Sequence, residues 1–161
     1  MNEIQSAITI ARPVREVFDL LVDLENARYF DPQVRSVRRT TSGPVGVGTG
    51  FEFQEPLPPF GRVGRSTATY TEVVSGELIV MDIRIGRLRA DSRFELAADG
   101  PGTRVTARTR MALPRPLRML GPLLARQGTR VWDARLRCVK NWIEAGAPRD
   151  GSRPPAGTTG G

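Results

Sequence analysis

The chain has 161 residues, a net charge of +7 and 24 basic side chains, all Arg except Lys140, against 17 acidic ones, with no His. Without His, no Ser-His-Asp or Cys-His nucleophile and no His-ligated zinc centre can be built, and a lone Cys138 excludes an internal disulfide or a Cys-x-x-Cys pair. The 39% hydrophobic fraction, raised by 17 Gly, is that of a globular chain, and this length suits one core and one domain.

In chain order, Ile4, Ser6, Ile8 and Ile10 alternate with Glu3, Gln5, Ala7 and Thr9, which predicts a half-buried strand over 3–11. Pro13 then opens a helix whose apolar stripe is Val14, Val17, Phe18 and Leu21. A second short helix is expected over 25–29, ended by Asp31-Pro32 because the residue before Pro avoids helical geometry. From Val34 to Leu113, β-branched and aromatic runs broken by Gly, Pro, Ser and Asp predict six strands, at 34–41, 48–55, 63–74, 77–86, 88–97 and 103–113. Turns of hairpin length at Ser75-Gly76 and Asp99-Gly100-Pro101-Gly102 make consecutive strands antiparallel.

Parity places Ile79, Met81, Ile83 and Ile85 on one face, with Ala90, Ser92, Phe94, Ala107 and Thr109 on the same side of the following strands. Such small residues either border a cavity or face a large side chain that fills the gap. Residues 115–145 predict a long helix interrupted near Gly121-Pro122, and the Pro- and Gly-rich 147–161 reads as a disordered tail after a domain spanning 1–146. The Gly43–Gly50 stretch has neither phosphate-loop spacing nor a following helix and is expected to be a hairpin connection. There is no N-terminal export pattern and no apolar run of membrane-spanning length, so a cytoplasmic location is expected. The Arg residues are scattered, which argues against nucleic acid as a partner.

Ile8-Thr9-Ile10-Ala11-Arg12-Pro13-Val14-Arg15-Glu16-Val17-Phe18-Asp19, Phe30-Asp31-Pro32-Gln33-Val34, Gly46-Val47-Gly48-Thr49, Gly102-Thr103-Arg104-Val105-Thr106 and the Leu136, Val139, Lys140, Ile143, Glu144 pattern together resemble the polyketide cyclase/dehydrase group of the START-like (SRPBCC) superfamily. The chain departs from most members in carrying Phe30 where they have Trp. The resemblance implies an α+β helix-grip fold: a bent, seven-stranded antiparallel sheet around the C-terminal helix, two short helices after the first strand, and a hydrophobic cavity. It also implies an apolar small-molecule ligand such as a lipid or polyketide and, in a minority of members, cyclisation or dehydration of a carrier-bound polyketide.

Within that frame, the expected ligand-binding residues are Phe30, Phe53, Tyr70, Met81, Ile83, Phe94, Thr109, Val131, Arg135 and Trp142, with no metal and no cofactor. Arg135 falls in the apolar helix series Leu124, Gly128, Val131, Arg135, Cys138, Trp142. A buried cation there is costly unless paired, and three placements are open: snorkelling to water, a structural pair with Glu52 or Glu55, or a contact to a ligand anion. If the chain is an enzyme, Arg135 would stabilise an enolate oxygen, Tyr70 would donate a proton, and Glu52 or Glu55 would be the base, although strand alternation places neither carboxylate well. A different class of function is an interaction module, in which Arg115, Arg118, Arg126, Arg130, Arg137 and Lys140 on the last helix dock an acidic carrier protein or an anionic membrane.

Overall fold

The computed structural model describes residues 2–57 and 60–147; the expected tail from 148 onward lies outside the described residues. Its elements are β1 (Asn2–Ile10), α1 (Val14–Leu21), a 3-10 turn (Leu24–Asn26) leading into α2 (Ala27–Phe30), β2 (Ser36–Arg39), β3 (Gly50–Leu57), β4 (Arg62–Val74), β5 (Leu78–Ile85), β6 (Leu88–Asp99), β7 (Gly102–Ala112), a 3-10 segment (Arg115–Leu120) and α3 (Gly121–Glu144). The seven strands form one antiparallel sheet in the order β1-β7-β6-β5-β4-β3-β2, which is the expected architecture. The second strand is shorter than its composition suggested, and the helical run from Arg115 changes from 3-10 to α at Gly121-Pro122, where the interruption was expected, with Pro122 in the first turn of the long helix, a position that tolerates it.

The hairpins follow from local chemistry. Gly76 turns β4 into β5 with φ +77°, a conformation that costs glycine nothing. A register shift between Tyr70 and Glu72 puts an extra residue into β4, and such bulges sharpen the curvature a sheet needs to wrap a helix. Inward parity holds: Ile4, Ile10, Ile79, Met81, Leu96, Val105 and Ala107 are buried. On the outer face Val80 is also buried, in a groove it lines with Arg93, Arg108 and Arg110.

Helix α3 runs alongside β1 in the same direction. Gly128 sits so close to Ile4 that a Cβ there would lie 2.2 Å from Ile4 Cδ1. Further along, Ser6 Oγ donates to Asp133, Lys140 Nζ donates to Thr9 O at 2.7 Å, and Ala11 N donates to Glu144 Oε1 at 2.8 Å. The Lys140 hydrogen bond, reinforced by the Ala11 N–H, holds the Glu144 carboxyl below the usual Glu range. The buried Ser92 and Thr109 hydroxyls bond each other at 2.6 Å.

Gly102 is required by a close approach, since a Cβ there would lie 2.7 Å from the Ile10 carbonyl oxygen. Gly102→Ala is expected to cost about 1–3 kcal/mol by forcing β7 away from β1. Gly46→Ala, which meets nothing within 4 Å, should stay within about 0.5 kcal/mol of wild type in the same urea denaturation experiment.

Candidate functional site

Because α3 hugs β1, the inner face of β3–β6 is left partly uncovered. A cavity of about 130 Å³ lies there, walled by Leu20, Leu21 and Leu24 from α1 and the turn after it, by Phe30, Asp31 and Val34 around the end of α2, by sheet residues Phe53, Glu55, Ser66, Ala68, Ile79, Met81, Ile83 and Phe94, and by Trp132, Arg135, Leu136 and Val139 of α3. Asp23, Ala27 and Thr67 complete the wall. An apolar concavity with a few convergent polar groups is the usual form of a small-molecule site.

The polar groups meet at Arg135. Its Nη2 donates to Glu55 Oε2 at 2.7 Å, and its Nε lies 2.9 Å from Asp31 Oδ2 with the N–H not aimed along the contact, an ion pair without a directed hydrogen bond. The guanidinium also lies over the Trp132 ring, 5.7 Å from its centroid. The remaining carboxylate oxygens are occupied as well: Glu55 Oε1 accepts from Ser66 Oγ at 2.8 Å, and Asp31 Oδ1 accepts from the Gln33 N–H at 2.9 Å. Side-chain exposure is 27% for Arg135, 14% for Glu55 and 5% for Asp31, so the aspartate depends most on its counter-charge.

Of the ten residues expected to bind ligand, Phe30, Phe53, Met81, Ile83, Phe94 and Arg135 line the cavity, and four lie elsewhere. Val131 is 40% exposed, because the inward stripe of α3 passes through Trp132 in its place. Thr109 is bound to Ser92 where the helix approaches β1, as described above. Trp142 is buried one layer behind the wall, stacked on Tyr29 and tilted against Phe30 at 5.5 Å. Tyr70 points inward but sits in the core against Phe51, with its hydroxyl donating to Val22 O at 2.6 Å. Burial pushes its phenol well above the usual Tyr range; Asp23 adds to the rise and Arg39 opposes it.

The expected catalytic set is likewise divided. Glu52 lies on the outer face, paired with Arg38 at 3.2 Å and Arg65 at 3.6 Å, away from the cavity. Glu55, which alternation was expected not to place, has the same parity as Phe51 and Phe53 and reaches the cavity with them. Residues to which the sequence reasoning gave no site role include Asp31, read there as a helix terminator before Pro32 and as part of the segment that carries the family resemblance, and Trp132. Among the described residues, no group of His, Cys, Asp or Glu side chains is arranged to hold a metal ion, and no helix is long and apolar enough to cross a membrane.

Removing the cation should leave two buried carboxylates facing each other. Arg135→Gln is therefore expected to lower stability by about 3 kcal/mol, and adding Asp31→Asn and Glu55→Gln should restore most of that loss, read from urea denaturation midpoints at constant slope.

The family profile described as polyketide cyclase/dehydrase and lipid transport matches residues 1–144. Several solved structures share the fold. The protein TTHA0849 from Thermus thermophilus aligns over 91% of this chain and 99% of its own at 17% identity and a TM-score of 0.76. A START superfamily protein from Mycobacterium smegmatis aligns over 90% of this chain and 99% of its own at 12% identity and a TM-score of 0.74. The di-domain ARO/CYC StfQ of the steffimycin biosynthetic pathway aligns over 89% of this chain and 50% of its own at 15% identity and a TM-score of 0.71. No curated protein matches the chain. With a sheet that grips its C-terminal helix and a profile match over nearly all of its length, the chain belongs to the polyketide cyclase/dehydrase and lipid transport family.

Proposed function

We propose that this protein binds a hydrophobic small molecule, lipid- or polyketide-like, in the cavity between the sheet and α3. The observation that carries the reading is the cavity itself: about 130 Å³ of space walled chiefly by Leu, Ile, Phe, Met and Trp side chains in a protein this size. An apolar wall of this extent left against water forgoes the stabilisation that its burial by a ligand would give. The cyclase or dehydratase reading has less support. Of Arg135, Tyr70, Glu52 and Glu55, only Arg135 and Glu55 reach the cavity, and they hold each other.

A second reading concerns the surface. Arg115, Arg118, Arg126 and Arg130 are exposed and, among the described residues, enter no ion pair, while Met119 and Leu123 beside them are 92% and 58% exposed. Arg137 and Lys140, expected in the same stripe, are turned to Asp133 O and to Thr9 O and Glu144. The four free guanidiniums would suit an acidic partner, a carrier protein among them.

A panel of apolar ligands should raise the wild-type melting temperature, by roughly 5–10 °C at about a hundred times Kd. Ala68→Leu, which fills the cavity from β4, should abolish the shift; a flat response of the wild type to the whole panel would refute cavity binding. For the surface reading, binding to an acidic carrier protein should weaken steeply between low and physiological salt and be lost on Arg126→Glu/Arg130→Glu, measured by titration calorimetry.

A further inference from the structure

The charge of the cavity wall is opposite in sign to that of the protein. The chain carries +7, yet the wall contains three carboxylates, Asp23, Asp31 and Glu55, and one cation, Arg135. Arg135 is shared between Asp31 and Glu55, at 2.9 and 2.7 Å, so one guanidinium answers two carboxylates and one negative charge is left over. Asp23 adds to that surplus, and among the described residues it enters no ion pair. The surplus is held in poorly solvated surroundings, since Asp31 and Glu55 are 5% and 14% exposed and the walls around them are apolar.

Two consequences follow for a ligand. An anionic head placed at this end would add a second unbalanced charge and would have to displace Glu55 or Asp31 from Arg135. A cationic head would neutralise the surplus and could donate to the second lone pairs of the Asp31 and Glu55 oxygens, each of which has one polar partner among the described residues. From this juxtaposition of one guanidinium with two buried carboxylates in an apolar wall we infer that the cavity selects an apolar molecule bearing a protonated amine and rejects the corresponding carboxylic acid. The inference rests on the cavity reading above and specifies its ligand: Asp31 and Glu55 are the specificity-determining residues, and Arg135 positions them.

The test uses three probes with the same ring system, 2-naphthylmethylamine, 2-naphthylmethanol and 2-naphthoic acid, titrated into the full chain by calorimetry at pH 7, where the first is a cation and the last an anion. The expected order is amine, then alcohol, then acid, with the amine at least about tenfold tighter than the acid, a conservative figure for a charge a few ångströms away in protein surroundings. Ala68→Leu should remove all three signals, which locates binding in the cavity. Glu55→Gln should shrink the amine-to-acid ratio by about tenfold; should that variant not fold, the wild-type ratio alone decides. An acid that binds as tightly as the amine, or an alcohol that binds best, overturns the charge selection while leaving cavity binding intact. No binding by any probe overturns both.

Discussion

The seating of α3 on β1 determines where the interior is solid and where it is open. Gly128 lets the helix axis come down onto Ile4, and the polar contacts of Asp133, Lys140 and Glu144 with Ser6, Thr9 and Ala11 hold the remaining turns along the same strand. A helix pressed to one side of a seven-stranded sheet cannot also cover the other side. The small and hydroxylic residues of β6 and β7, Ala90, Ser92, Ala107 and Thr109, are buried on this side of the sheet. The wide side, over β3 to β5, is closed by the segment from α1 to β2, and the space left beneath that cover is the cavity.

Arg135 ties the cover to the rest. Its partners come from the end of α2 and from β3, so one side chain of α3 joins two parts of the chain that share no regular hydrogen bonding with the helix. Buried ion pairs add little stability beyond what a well-packed apolar set would give, and their value lies in fixing geometry. Here the geometry fixed is the polar end of the cavity. The Tyr29, Phe30 and Trp142 stack behind it does the same for the neighbouring apolar wall, with contacts that tolerate sliding where the ion pair does not.

The strands, the antiparallel pairing of consecutive ones and most inward residues were legible because a period of two and a turn every ten or so residues are local signals; the seating of β1 beside β7 was not, since it joins the two ends of the strand series. The family resemblance rested on those same stretches. What failed did so for physical reasons. Val131 and Trp132 are adjacent and both apolar, so helical spacing alone could not decide the phase of α3, and the choice fell one residue out. Tyr70 was correctly turned inward, but parity says nothing of depth, and it ended in the core beside Phe51. Asp31 had a sufficient local explanation next to Pro32, which hid a partner more than a hundred positions away. Glu55 was readable from its parity with Phe53, and was passed over because Glu52, on the outer face, was weighed beside it.

One contact of α3 bears on how the molecule behaves among its copies. β1 and β2 are the two edges of the open sheet. β2 is four residues long and carries Arg38 and Arg39, features that discourage a foreign strand from pairing with it. β1 is nine residues long and would be the better template, but the Thr9 carbonyl takes the ammonium of Lys140, and the Ala11 N–H just past the strand takes Glu144. The one Lys among 24 basic residues thus occupies a backbone acceptor at the exposed margin of the sheet. Its compact, single-point charge suits a lone carbonyl better than the wide fork of an Arg would. The bond that seats the helix also reduces the capacity of that margin to recruit a second chain into cross-molecular pairing.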